Sequence, residues 1–202
     1  MGTKVIGLAG RAGSGKSAAA RSLASRGDME WIDLDPLAWE TYRPGTDTFD
    51  RLVGRFGRTI VGAEGTIDRR CLAESALAGP AARDDLEAIV HPAIMQRLQE
   101  RIGACRTRGV GVLLVEGALL VHSPHVDRSL FDAIVWLDAS DRSRRERLDA
   151  AGRTNHAARV PDPAPEALVG IHRVSAEGAV SEVAARLLRL IETVKCGREL
   201  AR

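Results

Sequence analysis

Residues 5–17 read V-I-G-L-A-G-R-A-G-S-G-K-S, a short apolar run that breaks into G-x-x-x-x-G-K-S, and nothing else in the chain limits its fold as tightly. A strand must turn sharply into a helix there while main-chain N–H groups stay directed inward at oxyanions. Glycine permits this because it lacks a Cβ. Lys16 offers a point charge to the β and γ phosphates, the Ser17 hydroxyl can ligate Mg²⁺, and the opening helix adds its positive dipole end. Gly10, Ala12, Gly13, Ser14, Gly15, Lys16, Ser17 and Ala18 are the expected nucleotide-binding residues, with Ser17 as the metal ligand. Ala18, Ala19, Ala20, Leu23 and Ala24 make the segment after the loop strongly helix-favouring. The loop alone specifies nucleoside triphosphate binding, and the reaction must be read from the rest of the chain.

With 202 residues, 45% of them hydrophobic, the chain can bury one substantial core, with or without a smaller subdomain. Its net charge of +2 gives no sequence-wide electrostatic case for nucleic acid or a membrane surface. Cys71, Cys105 and Cys196 are far apart, odd in number and without metal-ligand spacing, which predicts reduced thiols and a cytoplasmic protein. No signal-peptide succession or membrane-length apolar run is expected. Oligomeric state is left open, homo-oligomer included.

Residues 30–35, E-W-I-D-L-D, predict a short strand ending in two acids, Asp33 and Asp35, on opposite sides if the extended conformation persists. Ligands gather at the carboxyl ends of parallel strands, so Asp35 is a candidate base for a hydroxyl proton, and Asp33 takes a structural role. The competing reading makes either acid a helix cap before Pro36.

Residues 37–57 read as helix broken at Pro44 and Gly45, with a capped amphipathic helix from Thr46 whose Phe49, Leu52, Val53 and Phe56 face a core. A turn over 62–70 leads into a helix from near Asp68 that runs through Leu77. Residues 81–108 predict helix interrupted at His91-Pro92, since proline disfavours helical geometry in the residue before it. Such helices would cap the sheet. Arg69 and His91 are candidate substrate contacts, although exposed arginines at helix starts are usually solvated and a lone histidine is usually structural.

Residues 110–116, V-G-V-L-L-V-E, predict a buried strand ending in Glu116, an acid suited to approach Mg²⁺ on the substrate side directly or through water. Residues 133–138 predict another buried strand. The basic run Arg142, Arg144, Arg145, Arg147, Arg153 and Arg159 reads mostly as a solvated helix face, from which one or two arginines could close over ATP. Proline-rich 160–166 suits a lid border, 166–174 reads as a short helix, and 180–195 is a periodic helix packing on the sheet. The tail after Gly197 is expected to fray.

In this order the motifs resemble the dephospho-CoA kinase family: the loop at 5–17, I-D-L-D at 32–35, G-T-I-D-R at 65–69, and above all L-E-A-I-V-H-P-A-I at 86–94. The resemblance implies an α/β P-loop kinase fold in one domain: a parallel sheet core flanked by helices over about 1–36 and 109–202, a helical acceptor-binding region over about 37–108, and a lid over about 140–166. It implies transfer of the γ-phosphoryl of ATP, with Mg²⁺, to the ribose 3′-hydroxyl of dephospho-CoA, giving CoA and ADP. Carried over, Lys16 and Ser17 take phosphate and Mg²⁺, Asp35 is the base, and Arg69 and His91 contact the acceptor.

Beyond Glu116 the resemblance thins. E-G-A-L-L-V-H at 116–122 replaces an aspartate, one residue and P-L-L-F-E. Arg144 stands where a glutamine aligns, and the lid arginine is open among Arg147, Arg153 and Arg159, with Arg147 assigned the catalytic role. The family's late alanine-aspartate strand and asparagine-x-glycine turn near adenine are absent, V-S-A-E-G-A-V-S standing there. Besides the dephospho-CoA kinase reading, a P-loop kinase for another small acceptor and a non-catalytic nucleotide-binding regulator therefore remain open.

Overall fold

A computed structural model describes residues 2–153 and 170–197. The chain divides into two compact units, the first made of Met1–Asp33, Ile102–His122 and Arg128–Arg202, the second of Leu34–Arg101 and Ser123–Asp127.

The first unit is built on a five-stranded parallel sheet: β1 (Lys4–Ala9), β2 (Met29–Asp33), β3 (Val112–Glu116), β4 (Ala133–Asp138) and β5 (His172–Ser175), in the order β2-β3-β1-β4-β5. The central strands are apolar runs because helices cover both faces of such a sheet. Two of these helices, α1 (Lys16–Ala24) and α8 (Val180–Lys195), pack together and bury Ala19, Ala20, Leu23, Val183, Leu187 and Ile191 against Ile6, Leu8, Leu114 and Val135. All five strands run the same way, so their carboxyl ends lie along one edge, where β1 feeds the glycine-rich loop.

In the second unit α2 (Leu34–Thr41) is followed by α3 (Asp47–Phe56), whose Thr46 cap accepts the Phe49 N–H at 3.2 Å. Of the four apolar positions expected to face a core, Leu52 is fully buried and Phe49, Val53 and Phe56 are half-buried. Asp68 caps α4 (Arg69–Ala76) by accepting from the N–H groups of Arg70 and Cys71. That helix stops short of Leu77, which is largely exposed.

Three expectations are corrected. The extended conformation ends at Asp33, and Asp35 lies in the first turn of α2, so the two acids do not alternate along one strand. Residues 80–108 form one helix, α5 (Pro80–Arg108), with Pro92 inside it. Proline costs about 3 kcal/mol in a helix interior. Ile89, Val90, Ile94, Met95 and Leu98 are buried on either side of it, each worth about 1.5–3 kcal/mol, so burial outweighs the break. Lastly, residues 172–175 are strand: β5 pairs with β4 in the register Val135↔His172 to Asp138↔Ser175. Four residues are too few for periodicity to separate helix from strand, and the open edge of β4 decides. Residues 154–169, including Arg159 and most of the expected lid, lie outside the described residues, as do the last five.

Candidate functional site

The loop between β1 and α1 owes its path to close approach. At Gly10 (φ +149°) a Cβ would sit 2.7 Å from the Leu137 carbonyl oxygen, and at Gly13 (φ +80°) 2.6 Å from that of Arg144. Gly15, in the left-handed region, precedes a helix with no acid in its first turn, which leaves that end favourable to anions. The Lys16 ammonium donates to the carbonyls of Gly10 at 2.8 Å and Arg11 at 3.2 Å, folded across the loop. Ala12 offers its carbonyl to Arg144. Ser14 is buried, and Ala18 lines the cavity beside the loop.

Next to the loop, the Ser17 hydroxyl donates to Glu116 Oε1 at 2.7 Å, and the Trp31 indole N–H donates to Oε2 at 3.2 Å. Asp33 is the cross-strand partner of Glu116 at the ends of β2 and β3. Burial pushes the Glu116 carboxyl above its ordinary value, the Ser17 bond and Lys16 charge opposing and the Asp33 charge adding to the rise. With its hydrogen committed to Glu116, the Ser17 oxygen keeps lone pairs for a hard cation, and the oxygen donors here suit Mg²⁺. No group of three His, Cys, Asp or Glu side chains forms a cage among the described residues. Asp33, given only a structural role from sequence, belongs to this cluster.

The basic run is less solvated than its composition suggests. Beyond the short α6 (Leu119–His122), helix α7 (Asp141–Ala150) is capped by Ser140 and buries Arg144, whose guanidinium donates to the Ala12 carbonyl at 3.1 Å and to Asp141 at 2.5 Å. Arg147 donates to the carbonyls of Gly13 and Ser14 in the loop, and to Ala176 (2.8 Å) and Gly178 (3.2 Å) beyond β5. It is a brace between the two segments, a role the sequence did not reveal. Arg142 and Arg145 are solvated, as expected. Arg147, Arg153, Gly178, Val180 and Val183 line, together with residues 13–18, a cavity of about 330 Å³.

In the second unit Asp35 is exposed in the first turn of α2. Arg69 lies over the ring of Trp39, 3.8 Å from its centroid. Burial pushes the Tyr42 hydroxyl up to about 12, with the Arg69 charge opposing and the Asp35 charge adding, which groups these side chains. Trp39 and Tyr42 are additions that the motif reading does not contain. Their spacing from Asp35, four and seven residues on, is the helical signal that could have found them. His91 Nδ1 lies 2.7 Å from Ser123 Oγ with His125 edge-on to it, partners invisible in the sequence. Burial pushes the His91 imidazole below its ordinary value, toward the neutral form.

A profile of the dephospho-CoA kinase family matches residues 4–159. The chain belongs to the dephospho-CoA kinase family. Among relatives named dephospho-CoA kinase, that of Geobacter sulfurreducens is 38% identical over 141 residues, covering 70% of this chain and 71% of its own. That of Frankia casuarinae is 35% identical over 147 residues, 73% of this chain and 62% of its own, so the match spans less than two thirds of that relative. The Anaeromyxobacter dehalogenans enzyme is 31% identical over 201 residues, covering 96% and 94%. A crystal structure from Thermus thermophilus superposes with TM-score 0.75 at 26% identity, over 96% of this chain and 98% of that one. Dephospho-CoA kinase from Campylobacter jejuni, at 14% identity and TM-score 0.63 over 96% and 98%, shares the fold.

In this dephospho-CoA kinase family member β5 and the Ala176-Glu177-Gly178 segment stand where the motif resemblance faded. Glu177 accepts from the Ser140 N–H at 2.6 Å and the Ser143 hydroxyl at 2.5 Å, and Arg186 grips the carbonyls of Ser175 and Glu177. The Ser143 bond first, then those from Ser140, lower the Glu177 carboxyl to about 2 from 4.5. A depressed value means that its stabilisation is complete above the unfolded-state value and is lost as pH falls toward the folded one. The melting-temperature gap between wild type and Glu177→Gln should be constant from pH 8 to about 5 and shrink below about 4.5. A gap unchanged down to pH 3.5 would overturn this assignment.

Among the described residues no helix is long and apolar enough to cross a membrane.

Proposed function

We propose that this chain transfers the γ-phosphoryl of ATP to the ribose 3′-hydroxyl of dephospho-CoA, giving CoA and ADP. Family membership supports the reaction, and the observation that carries it furthest is the Ser17–Glu116 hydrogen bond beside the Lys16 ammonium. Mg²⁺, when bound beside Ser17 and Glu116, would supply neutralisation of the phosphate charge. The chain's own residues do the remaining work. Ser17, its O–H donated to Glu116 Oε1, would present its oxygen to the cation, and Glu116 holds that hydroxyl in place. Lys16 and the N–H groups opening α1 bind phosphate oxygens. Arg147, braced on the carbonyls of the loop, carries positive charge at the same end.

Asp35 accepts the proton of the acceptor hydroxyl as its oxygen forms the bond to phosphorus, and ADP departs with the electron pair of the broken P–O bond. Arg69 and His91 contact the acceptor, Arg69 by charge and neutral His91 as a hydrogen-bonding group. The cavity bordered by Gly178 and Val180 takes the nucleoside end of ATP. The three free thiols support a cytoplasmic, reducing setting.

A coupled assay of ADP release with purified protein tests the proposal across dephospho-CoA, nucleosides, nucleotides and other CoA precursors. Turnover unique to dephospho-CoA supports it. Turnover of another acceptor favours a different small-molecule kinase, motivated by the altered 116–122 segment, and ATP binding without turnover favours a regulator.

A further inference from the structure

The carboxylate of Glu116 has two oxygens and a different donor on each. Oε1 is taken by Ser17, which the nucleotide loop explains, whereas Oε2 is taken by Trp31, which the phosphoryl-transfer chemistry does not require. The register of the sheet explains how an indole comes to be there. Trp31 pairs with Leu114 and Asp33 with Glu116, so side chains two apart on β2 share the face that carries Leu114 and Glu116 on β3. Trp31 and Glu116 are thus diagonal neighbours, a separation that a long aromatic side chain spans.

The same face meets α1. Ser17 and Arg21, four residues apart, lie on one side of that helix. Ser17 reaches Glu116, and Arg21 places its guanidinium 5.6 Å from the Trp31 ring centroid. Trp31 is therefore gripped on its π face by one helical turn and grips Glu116 through its N–H, while the adjacent residue of that face reaches the other carboxylate oxygen. Indole nitrogen is a donor only. It cannot ligate a cation and cannot reverse the direction of its hydrogen bond, so it fixes Glu116 in one rotation without competing for the metal.

Resting on the nucleotide-site reading given above, we propose that Trp31 is a positioning residue for the cation site: its indole N–H holds Oε2 of Glu116 so that Oε1 stays on Ser17 and the Ser17 lone pairs face a divalent cation bound with nucleotide. Without that N–H the carboxylate turns toward other donors, and Ser17 loses the orientation that makes it a ligand.

Trp31→Phe keeps an aromatic ring and deletes the N–H. Mn²⁺ serves as the probe, titrated by electron paramagnetic resonance into protein saturated with ADP, a readout independent of turnover. Removing such a supporting partner should weaken Mn²⁺ binding about tenfold or more, with metal-free ADP affinity unchanged. In an E116A background the same W31F change should have no further effect beyond about twofold, because the acceptor of the indole N–H is gone. Mn²⁺ affinity in W31F within about twofold of wild type overturns the proposal, as does an equal loss of metal-free ADP binding, which would mark general damage. If wild type binds no ADP, the nucleotide-site reading itself fails, and that result is distinct from either of the others.

Discussion

Replacing Asp35 with alanine should lower kcat by about 10²–10⁴ while leaving the KM for ATP nearly unchanged, the usual contribution of a positioned general base. The ribose hydroxyl is a weak nucleophile, and its proton must leave as the bond to phosphorus forms. A carboxylate accepts that proton, and a methyl group cannot. Asp35 is exposed in the first turn of α2, outside the buried set that includes Leu34 and Leu37, so the substitution should spare the fold. Asp35→Asn keeps the shape and removes the charge, and it should fall with alanine if proton acceptance is the role. Steady-state kinetics in both substrates, with melting temperatures alongside, check this. Loss of ATP binding, or kcat within about threefold of wild type, would remove Asp35 from the chemistry.

The second large effect is expected at Lys16. Its ammonium donates to the Gly10 and Arg11 carbonyls and places a positive charge inside the loop where phosphate oxygens would sit. Lys16→Ala should reduce kcat/KM for ATP by about 10²–10³, the range seen when one preorganised donor to developing charge is removed. Lys16→Arg should recover little, because a planar guanidinium does not replace a compact ammonium in a loop this close to its own carbonyls. Single-turnover rates at saturating ATP separate lost binding from lost chemistry. Turnover within about tenfold of wild type in Lys16→Ala would argue that the loop does not carry the transferred phosphoryl.

These two residues are legible in the sequence because their signals are local. Gly10, Gly13, Gly15, Lys16 and Ser17 sit in one short window whose backbone requirements are written in glycine. The acids Asp33, Asp35 and Glu116 stand out as endings of apolar runs. The start of α1, the extents of α3 and α8, a strand within 110–116 and the strand at 133–138 come from glycine and cap signals, periodicity and unbroken apolar stretches.

Sequence and structure part where a local rule meets a larger tertiary gain. Proline at 92 should stop a helix, yet apolar burial on both sides of it carries α5 through. Residues 172–175 have too little pattern to declare themselves, and the unpaired edge of β4 makes them a strand. In the sequence Arg144 stands where a glutamine aligns and Arg147 is a lid candidate, and only the approach of α7 to the loop makes both partners of its carbonyls.

By itself the sequence determined the nucleotide loop, the parallel α/β class, the family, and the acids Asp33 and Glu116 that end β2 and β3, because each is encoded in short stretches of the chain. Only the tertiary structure decided that Asp33 stands beside Glu116, that Trp31 and Ser17 divide the two oxygens of that carboxylate, and that Arg147 ties the loop to Ala176 and Gly178. The physical reason is register and docking: which side chains meet across a parallel sheet depends on how strands align and where helices settle. That outcome belongs to the packing of the whole unit, and no short window of residues contains it.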